Sequence, residues 1–118
     1  MTPGPFTPEH RLRRSVQFQW VLREGQKIYT RNLLVFAAAG PTGERRLGIT
    51  VTRKVGNAVF RNRAKRVTRE VFRRTREELP PGTDVVIIVK RDTAWPCMEQ
   101  YEKDIAHAFS LYTRRARR

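Results

Sequence analysis

Between Gly48 and Arg76 this chain carries ten of its 25 lysines and arginines and a single acid, Glu70. Cations at that density, with almost no carboxylate among them, suit the neutralisation of a polyanion. Arginine outnumbers lysine, which adds bidentate contacts to phosphate and stacking on bases. Residues that could serve catalysis are sparse by contrast. The 11 acids are scattered, and no two carboxylates stand at a spacing that demands a two-metal or acid–base site. Glu77 and Glu78 are neighbours on a helix and point about 100° apart. His10 and His107 have no Cys, Asp or His partner at ligand spacing. Cys97 is the only cysteine, so there is no intramolecular disulfide and no Cys-cluster zinc site, and it reads as a small half-buried side chain. The residues assign neither a catalytic site nor a metal site to the chain itself.

A change of period positions the cations. Leu47, Ile49 and Val51 alternate as in a half-buried strand, and from Ala58 onward apolar residues recur at helical spacing. At about 100° per residue, Ala64, Val67 and Val71 fall within about 40° of Phe60 and form a core stripe. Asn62, Lys65, Arg66, Arg69, Arg73 and Arg76 fall within about 60° of the opposite direction, with Arg61 and Arg63 at the flanks. Asn57 is placed to cap the helix. Lys65–Arg69 and Arg69–Arg73 are like-charge pairs four residues apart, each costing a few tenths of a kcal/mol. Glu70 offsets part of this through Arg66 and Arg74. An ordinary solvated helix mixes its signs. A face that gives up stability for uniform charge is better explained by a nucleic-acid partner than by a merely basic surface. An anionic membrane is the competing polyanion, but the helix lacks an exposed Trp, Phe and Leu face to insert.

The 118 residues make one domain with a modest core. The net charge of +14 bears on partners rather than on fold. Residues 1–9 read as a loose tail, 10–113 as the folded domain and 114–118 as a basic tail. No apolar leader or membrane-length run is present, so a cytoplasmic location and no membrane partner are expected. Ser15 and Gly25 bracket a helix with Phe18, Val21 and Leu22 on one stripe. Phe18 reads as core or as an exposed ring. Trp20, off that stripe, reads as a stacking group or as packing against a neighbouring loop. A brief strand is expected at Ile28 and Tyr29, and a clear one at Leu33–Ala39 with both faces apolar. The Gly40–Glu44 turn then predicts an antiparallel hairpin between that strand and Leu47–Thr52. The small, polar Gly48, Thr50 and Thr52 face suits either a ligand or solvent. Pro80-Pro81-Gly82 stops the basic helix near Leu79. The unbroken run Val85–Val89 predicts a central strand, and strand–helix–strand predicts a parallel pair. Met98, Tyr101, Ile105, Ala108, Phe109 and Tyr112 make the core stripe of a last helix. The fold class is α+β.

The string RLGITVTRKVGNAVFRNRAKR, followed by VTREVFR, resembles the signature of the protein subunit of bacterial ribonuclease P. The resemblance extends to HRLRRSVQFQWVLREG, LLVFAAA and DVVIIVKR, and so over nearly the whole chain. It implies a single domain with a four-stranded mixed sheet and three helices in the order α-β-β-β-α-β-α, including a left-handed βαβ crossover against the usual rule. It also implies an endoribonuclease whose catalytic RNA cuts the 5′ leader from precursor tRNA, with the protein alone inactive. Mg²⁺ in the holoenzyme would be bound mainly by RNA. By resemblance, Arg61, Asn62, Arg63, Lys65, Arg66 and Arg69 would meet the backbone of the catalytic RNA, with Arg53, Lys54 and Asn57 nearby. Phe18 and Phe36 would line a groove for the single-stranded leader, and Arg11, Arg13 and Arg14 its entrance. Two positions depart from the common pattern: Arg53 stands where lysine is frequent, and Trp20 where a polar residue is frequent. Two rivals stay in view. A general RNA-binding module would show no preference for a leader, and an RNA-independent nuclease would need a carboxylate cluster that the sequence lacks.

Overall fold

The sheet is built around the strand that comes last in the sequence. The computed structural model describes residues 15–91 and 95–116. Its elements are α1 (Ser15–Glu24), β1 (Gln26–Tyr29), β2 (Leu33–Ala39), β3 (Arg46–Thr50), α2 (Ala58–Thr75), a 3-10 turn (Arg76–Glu78), β4 (Thr83–Val89) and α3 (Met98–Ala116). This is the expected α-β-β-β-α-β-α order. The strands lie in the order β1-β2-β4-β3. β4 runs antiparallel to β2, with Phe36 opposite Val86, and parallel to β3, with Gly48 opposite Val86. The parallel pair and the central strand are as expected.

The hairpin is not. β2 and β3 are consecutive in the chain, yet β4 separates them. The reason is burial. β4 is apolar on both faces and satisfies its backbone and side chains only with a neighbour on each side. A β2–β3 hairpin would have left it at an edge. The insertion is fixed at one end by an ion pair between register partners. Arg46 Nε and Nη2 donate to Asp84 Oδ1 and Oδ2 at 2.8 and 2.7 Å, and both residues are buried. The hydrogen bond from the guanidinium to Asp84 raises the Arg46 pKa above its ordinary value, outweighing the opposing effect of burial.

Each face of the sheet has its own cover. Val35, Ala37, Val85, Ile87 and Val89 point into the main core with Ala64, Val67, Val71 and Phe72 of α2 and Tyr101, Ile105 and Phe109 of α3. The buried sector of α2 is wider than the predicted stripe. It includes Thr68, Phe72 and Thr75, while Phe60 is only half-buried at its margin. The two threonine hydroxyls donate to the carbonyls of Ala64 and Val71 one turn back, at 2.7 and 2.8 Å, and so can be buried. On the other face, Phe36 and Val86 pack with Val21 of α1, flanked by Phe18, Trp20, Leu22, Leu34 and Ile88. Trp20 also lines a cavity of about 410 Å³ with Gly40 and Pro41 of the following loop.

Candidate nucleic-acid interface

The basic face is held by a capped, two-faced helix. Asn57 Oδ1 accepts the Phe60 N–H at 2.9 Å, which satisfies an early helix donor. Burial of Ala64, Val67 and Val71 then turns Asn62, Lys65, Arg66 and Arg69 outward. Asn62, Arg63, Lys65, Arg66 and Arg69 line one concave surface of about 830 Å³, which also takes in Arg73 and is bounded by Met98 at the start of α3. Arg53 and Lys54 are exposed in the turn before α2, and Asn57 lies at the helix start. Arg61 is half-buried, and its Nε has no hydrogen-bond acceptor among the described residues.

Three cations behave differently from the sequence reading. Glu70 pairs with Arg73 at 2.6 Å and Arg74 at 3.3 Å; Arg66 is not part of that cluster. The Arg73 hydrogen bond holds the Glu70 carboxyl below its usual pKa and raises that of Arg73. Arg63 is drawn sideways: its Nε donates to the Pro96 carbonyl at 2.8 Å, and its guanidinium lies 5.5 Å from the Trp95 ring centroid. Arg76, placed outward by helical angle, is buried. The chain tightens there into the 3-10 turn, with about three residues per turn, so the 100° step no longer applies.

The second site is apolar. Phe18 lies over the sheet where β3 has no side chain: a Cβ added at Gly48 would meet the Phe18 ring at 2.4 Å. The small face of β3 is thus the floor beneath an aromatic ring. Phe18 is half-buried, whereas Phe36 is only 8% exposed. Phe36 is therefore largely covered, and Phe18 offers the more open ring. Lys27 Nζ sits 5.7 Å from the Phe36 ring centroid. Arg11, Arg13 and Arg14 lie outside the described residues.

Sequence reasoning passed over Trp95. It is 54% exposed and meets Phe60 edge-on with ring centroids 5.8 Å apart, beside the α2 cations. Its only signal was a large aromatic before a proline, and that does not reveal which helix it will meet. Among the described residues no group of three His, Cys, Asp or Glu side chains could hold a metal ion. Among them, too, no helix is long and apolar enough to cross a membrane.

A family model described as Ribonuclease P matches residues 6–113. The ribonuclease P protein component of Desulfovibrio desulfuricans is 39% identical over 91% of this chain and 83% of its own length. That of Bacillus pumilus is 34% identical, covering 85% of each. Among solved structures, the RNase P protein of Thermotoga maritima superposes with a TM-score of 0.75 at 28% identity, covering 86% of this chain and 96% of that one. The Staphylococcus aureus protein gives 0.75 at 26% identity, covering 86% and 94%. A two-faced basic helix, an aromatic cluster on the opposite side of the sheet, and relatives that share both sequence and fold lead to one conclusion: the chain belongs to the bacterial ribonuclease P protein family, the protein component of that tRNA-processing endoribonuclease.

Proposed function

We propose that the chain binds the catalytic RNA of ribonuclease P through the outward face of α2 and the Arg53–Lys54 turn, and holds the single-stranded 5′ leader of precursor tRNA in the groove between α1 and the sheet. The observation that carries this reading is the pairing of two chemically different surfaces on opposite sides of one sheet. The α2 surface is a concave array of cations with its carboxylate occupied internally. Such an array matches the phosphate backbone of a folded RNA, which is bound without reading bases. The α1 surface is apolar with aromatic rings, which matches unpaired bases. Stacking on a ring is sequence-tolerant and worth about 1–3 kcal/mol per base, as an enzyme that accepts many leaders requires.

In this mechanism the protein acts by charge and position. Its cations lower the repulsion between substrate and catalytic RNA, and the groove adds a contact to the RNA's own grip on the tRNA body. Cleavage of the phosphodiester falls to the RNA partner, with Mg²⁺ held there supplying Lewis-acid and nucleophile-activating chemistry. The described residues of this chain offer no donor set that fits such an ion, and no step passes through one. A cytoplasmic location accompanies this role.

Reconstitution with a bacterial ribonuclease P RNA at low Mg²⁺ tests the reading. The protein should raise cleavage of precursor tRNA and tighten its binding relative to mature tRNA, and the protein alone should not cleave. Metal-dependent cleavage by RNA-free protein would overturn the accessory role. Tight RNA binding with no preference for the leader would return the chain to a general RNA-binding module.

A further inference from the structure

β1 turns two side chains toward the groove that the leader site above does not use. Lys27 is the register partner of Phe36, and Tyr29 of Leu34. Alternation along the strand therefore puts both on the face covered by α1. Tyr29 is 64% exposed at the edge of the sheet. Lys27 Nζ lies 5.0 Å from the Tyr29 ring centroid and 5.7 Å from that of Phe36, so one ammonium group serves two rings. Lys90 Nζ lies 5.7 Å from the Tyr29 centroid and is held by donating to the Thr30 carbonyl. The loop that carries Thr30 is itself anchored. The Lys90 N–H donates to the Asn32 carbonyl at 3.0 Å, and the backbone and side-chain N–H groups of Asn32 both donate to Asp104 of α3 at 3.1 Å.

A lone exposed aromatic is unremarkable on a protein surface. This one continues a row. Tyr29 pairs with Leu34, Leu34 with Ile88, and Ile88 with Thr50, and the last three are only half-buried. The row crosses the sheet from the β1 edge to β3, about 14 Å at the usual strand spacing. At the β3 end the chain continues to Arg53 and Lys54. At the other end stands a ring with two ammonium groups beside it, Lys27 from β1 and Lys90 just past β4. Stacking surface with adjacent cations is what an unpaired nucleotide recognises.

We infer that Tyr29, Lys27 and Lys90 form a further nucleotide subsite of the groove, in which one leader base stacks on Tyr29 and the flanking phosphates meet the two ammonium groups. The inference rests on the leader-groove reading. Tyr29 lies at the sheet edge opposite β3 and the Arg53–Lys54 turn, which that reading sets beside the catalytic RNA. It therefore takes a leader nucleotide remote from the scissile bond.

The test is a leader-length series bound to reconstituted holoenzyme. With the wild-type protein, affinity should rise in steps as the leader lengthens, including one step when it becomes long enough to reach Tyr29. Tyr29→Ala should remove that late step, lowering affinity for long-leader precursor by about ten-fold. Affinity for short-leader precursor, for mature tRNA and for the catalytic RNA should be unchanged. Tyr29→Phe, which keeps the stacking ring, should restore the step, and Lys27→Ala with Lys90→Ala should reduce it and its salt dependence. Equal losses at every leader length, no loss at any, or a loss confined to assembly with the catalytic RNA would each overturn the subsite. Phe18→Ala separates the two readings. If it weakens leader-bearing precursor while Tyr29→Ala is silent, the subsite alone fails. If neither has an effect, the groove fails with it.

Discussion

The outward face of α2 and the groove under α1 are built on opposite logic. On α2, the apolar residues are spent inward on the core, and the outward positions keep cations four residues apart that repel one another. In the groove, apolar residues remain at the surface, and among the described residues charge enters at the margin, as Lys27 does beside Phe36. The first arrangement costs stability in the free protein, which the proposed function regains against phosphates. The second leaves apolar surface in water, which the proposed function regains against bases. Among the described residues, the cations that give this chain its high net charge are concentrated on the α2 side. In the proposed function, the contact that distinguishes substrate from product belongs to the less charged side.

The largest expected effect is on the charged side. Arg66→Glu with Arg69→Glu should weaken assembly with the catalytic RNA by about a hundred-fold or more and lower the slope of log affinity against log salt by roughly two. An unchanged slope in a salt titration would place the RNA elsewhere. Arg66→Ala should flatten that slope more than Arg63→Ala, because Arg63 is already engaged by Pro96 and Trp95; equal effects would erase the distinction drawn within α2. On the groove side, Phe18→Ala should weaken precursor tRNA by about 1–3 kcal/mol and leave mature tRNA alone. Equal losses for the two would return Phe18 to the core. Gly48→Ala gives a subtler probe. Its methyl must displace the Phe18 ring, so leader discrimination should fall by less than in Phe18→Ala, with assembly and its salt slope intact.

The smallest effect belongs to neither surface and serves as a control. The Tyr101 hydroxyl is buried with no hydrogen-bond partner among the described residues. Desolvation, with a smaller contribution from the Asp104 charge, pushes its pKa from 10.0 up to about 12. The unfolded chain thus releases this proton near pH 10 and the folded chain only near 12. Its contribution to stability is complete below pH 10 and is lost as pH rises across that window. Tyr101→Phe should be neutral or mildly stabilising at pH 7, flatten the alkaline loss in denaturant titrations, and leave both binding surfaces unchanged.

Much of this was legible in the residues themselves. The inward stripe of α2, its Asn57 cap and the central strand β4 all follow from spacing, because burial imposes a period on sequence. Pairing does not follow, since β2 is apolar on both faces and would accept β3 or β4 as its neighbour equally well. Only the need of β4 for two neighbours decides, and that is a property of the whole sheet. Arg76 was misplaced because helical angle assumes a constant pitch. Arg63 and Glu70 took partners that depend on rotamer and on a distant Trp95-Pro96 segment. Phe18 lying over Gly48 joins residues 30 positions apart, and the resemblance named the ring without its floor.

The insertion of β4 between β2 and β3 has a consequence for how the chain is made. A nascent chain emerging from its N-terminus can pair β1 with β2 early, since few residues separate them. β3 has no strand to join until Thr83–Val89 has been synthesised, and Arg46 has no counter-ion until Asp84 arrives. The sheet, and with it the floor beneath Phe18, is completed late and through contacts distant in sequence, the kind that slow folding. Chains stopped before Thr83 should therefore resist neither protease nor hydrogen exchange along Arg46–Thr50, and chains extended through α3 (Met98–Ala116) should gain that protection in a single cooperative step.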